Sequence, residues 1–169
     1  MASFAPGSLG ADAAAWKDQS LVGVQQLDEA GLNLVLTHAE KLRGQHRDVV
    51  LARQKGKILA NVFYEPSTRT SCSFQAAMLR LGGSIFCVAE ATSSAKKGET
   101  LEDTARSLAC YADVLVLRHP TSGAAQRAAV ASQKPTLNAG DGVGEHPSQA
   151  LLDVYTLCRE LCGGIPKGG

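Results

Sequence analysis

The segment Pro66-Ser67-Thr68-Arg69-Thr70-Ser71-Cys72 sets hydroxyl side chains around a permanent cation. It follows an apolar run, Ile58 to Phe63, and precedes an apolar-periodic stretch that ends at Gly82-Gly83. That order reads as strand, tight turn and helix N-terminus. The first turn of a helix leaves backbone N–H groups unpaired and carries partial positive charge. Hydroxyls and Arg69 added at that point favour a doubly charged oxyanion such as phosphate. An ordinary Ser/Thr cap beside a surface arginine would leave the same letters, so the reading depends on what else the chain brings nearby.

Three further polar clusters fall where neighbouring strands should end: Thr92 to Glu99, Arg118-His119-Pro120, and Asn138 to Gln149. In a parallel sheet, ligands bind beyond the carboxyl ends of the strands, and one polar cluster per connection is hard to obtain from caps alone. Arg69, Arg118, Ser67, Thr68, Thr70 and Lys97 supply cations and hydroxyls for a phosphate. His146 and Gln149, three apart at a helix start, add an imidazole and an amide on one side of that helix. His119, followed by proline, reads as structural. Gly140, Gly142 and Gly144 are spaced G-x-G-x-G, which is not the dinucleotide fingerprint, and no G-x-x-x-x-G-K-[ST] occurs. With no paired carboxylates, metal cluster or Ser/His/Asp triad, the set suits transfer of a group away from phosphate. An oxyanion and a leaving phosphate would be stabilised electrostatically, without a covalent intermediate.

The elements that must position these residues alternate. Leu27 to Leu42 carries a helical stripe, with Asp28 as N-cap and Leu27 and Leu32 as a staple, and Gly44 suits its stop. Strands are expected at Lys57–Phe63, Ser84–Ala89, Val114–Leu117 and Pro135–Asn138. Helices are expected at Thr68–Leu81, Thr100–Tyr111, Ser122–Ser132 and Pro147–Leu161. Apolar strands alternating with helices predict an α/β fold: a three-layer, doubly wound parallel sheet with helices on both faces. Ala, Gly, Ser and Pro dominate the start of the chain, and 1–20 is read as a mobile terminus or linker remnant. Residues 21–162 form the domain, and the glycine-rich 163–169 reads as a hinge towards something further.

Bulk properties narrow the partners. The 169 residues carry 17 basic and 16 acidic side chains, a net charge of +1, and no long basic stripe, so nucleic acid is a poor partner. No apolar stretch approaches the ~20 residues that a membrane helix needs. Five cysteines, none in C-x-x-C, read as reduced, buried structural thiols, and a cytoplasmic protein is the economical reading.

Phe63-Tyr64-Glu65-Pro66-Ser67-Thr68-Arg69-Thr70-Ser71 resembles the carbamoyl-phosphate signature of the transcarbamylases. Lys96-Lys97-Gly98-Glu99-Thr100, Leu117-Arg118-His119-Pro120 and His146-Pro147-Ser148-Gln149 match the same family in the same order. Serine after the S-T-R-T and the K-K-G-E-T loop resemble the aspartate branch, and Gly140 to Gln149 resembles the domain found in multifunctional pyrimidine-synthesis proteins. Ser148 stands where threonine is usual. The resemblance implies that Ser67, Thr68, Arg69 and Thr70 hold the phosphate of carbamoyl phosphate. It implies that Arg118, Thr70 and His146 polarise the carbamoyl oxygen and that Gln149 binds the carbamoyl amide. Arg69, Thr70, Arg118 and His146 would be the catalytic set. Ser93 and Lys97 would reach into the neighbouring subunit's site, which implies a homotrimer with shared active sites. L-aspartate would be the acceptor, no metal or organic cofactor is expected, and fusion to other pyrimidine enzymes is consistent with the likeness. The family's second, aspartate-binding domain has no counterpart in these residues, so carbamoyl phosphate binding without substantial turnover is expected. The alternatives are an ornithine transcarbamylase and a non-catalytic phosphate-binding or trimerisation module.

Overall fold

A computed structural model describes residues 9–10, 12–89 and 98–165. The elements are α1 (Glu29–Gly44), α2 (Arg47–Leu51), β1 (Ile58–Phe63), α3 (Thr68–Arg80), β2 (Ser84–Ala89), α4 (Leu101–Ala109), β3 (Val114–His119), α5 (Ala124–Ser132), β4 (Thr136–Asp141) and α6 (Pro147–Leu161). All strand pairs are parallel, in the order β2-β1-β3-β4.

β1, β3 and β4 bury both faces, which is why they read as near-continuous runs rather than alternating ones, whereas the edge strand β2 stays partly exposed. Leu59, Phe63, Val116 and Ala139 pack with Met78 of α3 on one face. Ala60, Val62, Leu115 and Leu117 pack with Ala105 of α4 and Ala124, Ala125 and Ala128 of α5 on the other. The small alanines let α5 approach the sheet closely. Helices on both faces make the expected doubly wound sheet, and the strand order has a direct consequence for a ligand. The helix after β1 goes to one face and the helix after β3 goes to the other, although β1 and β3 are neighbours. Their exits diverge at the carboxyl edge, the place where open α/β sheets bind ligands.

Asp28 caps α1 as expected, accepting the Gly31 N–H at 2.7 Å. Several boundaries differ from the sequence reading. β3 runs on through Arg118 and His119, and β4 runs from Thr136 through Asp141, because both polar ends continue the ladder. Helix α2 was not expected; its Val49, Val50 and Leu51 are too few for a periodic signal. Part of 1–20 packs on the domain: Leu9 is 3% exposed and bridges Leu27. Ser20 and Leu21 cover the free edge of β4, where the Thr136 N–H donates to Ser20 Oγ and the Leu21 N–H donates to the Thr136 carbonyl, both at 3.0 Å. At the other end Gly163, at φ +71°, closes α6. The cysteines are free, but Cys72, Cys87, Cys110 and Cys162 are exposed rather than buried. Among the described residues no helix is long and apolar enough to cross a membrane.

Candidate functional site

At the carboxyl edge the ends of β1, β3 and β4 lie side by side. Phe63 of β1 pairs with Arg118 of β3, and the Tyr64 N–H donates to the Arg118 carbonyl at 2.9 Å, so the chain leaving β1 is tied to Arg118. Ser67 then caps α3 with extended backbone, but its side chain makes no capping hydrogen bond. Asp28, Thr100 and His146 do cap their helices with their side chains. The first turn of α3 is therefore a helix N-terminus whose N–H groups no side chain satisfies among the described residues, with Arg69 exposed beside it. That is the arrangement an anion completes.

Between β3 and β4 the register slips: Leu117 pairs with Asn138, whereas His119 pairs with Asp141. Two steps on β3 face three on β4, a bulge of the kind that re-aims side chains near active sites. Gly140 sits in it at φ +112°, a conformation that favours glycine. The bulge makes room for Arg118, whose Nη1 donates to the Ala139 carbonyl at 3.0 Å. Its Nε lies 3.5 Å from Glu65 Oε2 as an ion pair but makes no hydrogen bond in that geometry, and it is buried.

His146 caps α6, accepting the Gln149 N–H at Nδ1 at 3.3 Å, with the Ser148 hydroxyl 3.2 Å from the same nitrogen. A lone pair at Nδ1 places the proton of the neutral ring on Nε2. That Nε2 is buried and has no partner among the described residues. Burial and the adjacent Arg118 cation hold the imidazole below its ordinary range, so the ring is neutral at pH 7. Thus, among the described residues, neither Nε of Arg118, ion-paired with Glu65, nor Nε2 of His146 makes a hydrogen bond, and the Arg118 Nη1 and the His146 ring both lie against Gly140. Two such donors fit one oxygen that gains negative charge.

Other residues singled out in the sequence stand differently. Thr70 is half-buried in the first turn of α3, and its carbonyl accepts the Ser73 hydroxyl at 2.8 Å. Gln149 is exposed and its amide donates to Asp153 Oδ1 at 2.9 Å, along α6 rather than towards His146. His119 is structural: its Nδ1 accepts the Thr121 N–H at 3.0 Å, and its ring packs edge-on against Tyr64. Ser93 and Lys97 lie outside the described residues. The sequence reading passed over Glu65, Gly140 as the seat of Arg118, and Asp141. An acid flanked by glycines in Gly140-Asp141-Gly142-Val143-Gly144 was the available signal for the last of these.

A doubly wound sheet with an open helix N-terminus and two buried donors at its switch point defines a class of oxyanion-binding α/β domain. Residues 19–159 match the family model described as aspartate/ornithine carbamoyltransferase, carbamoyl-P binding domain, and the chain belongs to that family. It is 51% identical over 144 residues to the multifunctional protein CAD of Squalus acanthias, covering 85% of this chain and 6% of that protein. It is 44% identical over 147 residues to the aspartate carbamoyltransferase catalytic subunit of Picrophilus torridus, covering 86% of this chain and 48% of that subunit. Its fold superposes on aspartate transcarbamoylase from Trypanosoma cruzi in complex with carbamoyl phosphate and aspartate, with a TM-score of 0.81 and 43% identity. That match covers 88% of this chain and 50% of the other. The chain thus spans about half the length of the catalytic subunit it resembles, and far less of the multifunctional relative.

Proposed function

We propose that the chain binds carbamoyl phosphate at the carboxyl edge of the sheet and presents its carbonyl carbon to the amine of L-aspartate, giving N-carbamoyl-L-aspartate and phosphate for pyrimidine synthesis. The observation that carries this reading is the pair of buried donors without a hydrogen bond among the described residues, Arg118 Nε and His146 Nε2, beside the uncapped start of α3. The phosphate rests on the first turn of α3 with Ser67, Thr68, Thr70 and Arg69 around it. The carbonyl oxygen faces His146 and Arg118, and Gln149 turns from Asp153 to the carbamoyl amide.

In this reading the amine lone pair forms the new C–N bond while the oxyanion forms between Arg118 and His146. The oxyanion then collapses, the C–O bond to phosphorus breaks, and phosphate departs with that electron pair. The amine proton leaves with phosphate or solvent. His146, neutral and protonated on Nε2, donates a hydrogen bond and needs no proton of its own. Arg69 offsets the growing charge on the phosphate. The effect is electrostatic and positional, with no covalent enzyme intermediate.

Arg69 and Arg118, the two arginines at this edge, are both committed to carbamoyl phosphate, so neither is left for the two carboxylates of aspartate. The 169 residues alone are therefore expected to bind with little turnover. Ser93 and Lys97 would complete the site of a neighbouring copy in a homotrimer, and five free cysteines suit a reducing compartment such as the cytoplasm.

Titration calorimetry of the chain with carbamoyl phosphate, beside a carbamoyl-aspartate assay, tests the proposal. Saturable binding that disappears in Arg69→Ala and Arg118→Ala supports it. Unchanged binding in both variants would overturn it.

A further inference from the structure

Asp141 is the last residue of β4 and is 6% exposed, yet no cation pairs with it among the described residues. Its carboxylate is satisfied by backbone instead. Oδ2 accepts the Gly123 N–H at 2.7 Å and Oδ1 accepts the Glu145 N–H at 2.6 Å. Its own main chain is equally occupied: the carbonyl accepts the Gly144 N–H at 3.0 Å and the Ser122 hydroxyl at 3.1 Å, and its N–H donates to the Glu145 carbonyl at 3.3 Å.

These bonds close a turn, 141–145, around the carboxylate. Two glycines make the closure possible. A Cβ on Gly144 would lie 2.3 Å from Asp141 Oδ1, and one on Gly142 would lie 2.0 Å from the Pro120 carbonyl oxygen. Backbone oxygen cannot give way, so the turn is moulded to both the acid and the Arg118-His119-Pro120 exit. The residue that leaves this turn is His146. Gly123, at the other end of the carboxylate, starts α5 on the exit from β3. Asp141 thus ties the turn that leads to His146 to the connection that leaves β3 just beyond Arg118.

We propose that Asp141 is a positioning residue: its carboxylate locks the 141–145 turn so that the His146 Nε2–H is aimed beside Arg118 before any ligand arrives. The proposal rests on the carbamoyl phosphate reading for its consequence, but not for its geometry. A buried acceptor shared by two backbone donors is worth keeping, because an orphaned buried N–H costs far more than a hydrogen bond gains. Replacing one carboxylate oxygen by an amide NH2 turns an acceptor towards a donor and opens the turn at Glu145 or at Gly123.

The test uses the 169-residue chain as wild type, Asp141→Asn and Asp113→Asn. Asp113 accepts from Lys57 and the Ile58 N–H at the opposite end of the sheet, so its loss perturbs the fold without touching the turn. Nitrogen-15 spectra of the imidazoles report the His146 tautomer without ligand. The expected result is a single Nε2–H tautomer in wild type and Asp113→Asn, and mixed tautomers in Asp141→Asn. In calorimetry, Asp141→Asn should weaken carbamoyl phosphate about tenfold, about 1.4 kcal/mol, while inorganic phosphate changes less than about twofold. An unchanged tautomer, or equal weakening of both ligands, would overturn the proposal. Should wild type bind no carbamoyl phosphate, the functional reading fails and the imidazole spectrum alone decides the role of Asp141. Should Asp141→Asn not fold, Asp141→Ser keeps one acceptor oxygen for the two N–H groups that the carboxylate now serves, and an unmoved His146 spectrum there overturns the proposal equally.

Discussion

Arg118 lies directly against Gly140: a Cβ built on Gly140 would come 2.5 Å from Arg118 Nη1 and 3.5 Å from His146 Cδ2. The glycine is therefore the seat on which both donors rest. Gly140→Ala meets two penalties, a positive φ of +112° and the displaced guanidinium. Backbone strain of this kind costs about 1–3 kcal/mol. The variant should melt lower, and calorimetry should show carbamoyl phosphate binding reduced at least about tenfold, since Arg118 can no longer keep its bond to the Ala139 carbonyl. A variant that binds like wild type would show that Arg118 does not depend on the bulge.

The chain order of strands and both helical layers were legible from sequence, because apolar runs and helix-start chemistry are local signals. The bulge at 139–140 was not. A change of register depends on two strands at once, and neither Leu117–His119 nor Asn138–Asp141 carries it alone. The strand ends were missed for the same reason: Arg118 and Asp141 are polar, yet the ladder continues through them. Leu9 and Ser20 were lost in an Ala/Gly/Ser-rich stretch whose few anchoring residues make long-range contacts. The neutrality of His146 could not be read either, since it comes from burial and from an arginine far away in sequence.

That neutrality fixes a pH dependence. The unfolded imidazole titrates near 6.5, and the folded one lower, first because burial disfavours its charged form and then because Arg118 repels it. Between the lowered value and about 6.5 the unfolded chain binds more protons, so unfolding free energy rises with pH across that window. Above about 6.5 this group adds no further slope. His146→Asn keeps a helix-capping acceptor without a titrating group. Thermal melts of both chains from about pH 5 to about pH 7.5 should diverge through the window, wild type gaining stability relative to the variant as pH rises. Parallel curves would show that His146 is not the titrating group.

A shared site makes a prediction about mixtures. Arg69→Ala and Lys97→Ala would each remove a different wall of the same pocket if neighbouring copies complete it. In trimers assembled at random from equal amounts, roughly one site in four receives Arg69 from one chain and Lys97 from the next. Calorimetry of the mixture should recover about that fraction of wild-type sites, and neither variant alone should bind. No recovery, in mixtures shown by light scattering to be trimeric, would mean that each copy builds its site unaided.

The start of α3 is held down by a polar residue within an apolar strand. Asn61, 1% exposed on β1, donates from Nδ2 to Ser71 Oγ at 2.9 Å, and the Gln75 amide donates to the same oxygen at 2.9 Å. Ser71 lies in the first turn of α3, one residue beyond Thr70, so this contact sets the height of the anion site above the sheet. Ser71→Ala leaves Nδ2 with only a 3.9 Å contact to Cys87 Sγ, and an unpaired buried amide costs about 1–3 kcal/mol. The double variant Asn61→Leu, Ser71→Ala removes both partners and fills the same volume with apolar atoms, so most of that stability should return. Phosphate affinity should not return with it, because the helix start has lost its only side-chain hydrogen bond to β1 among the described residues. Denaturant unfolding and phosphate calorimetry on the three variants separate these outcomes. Recovery of both quantities together would show that packing alone places the helix.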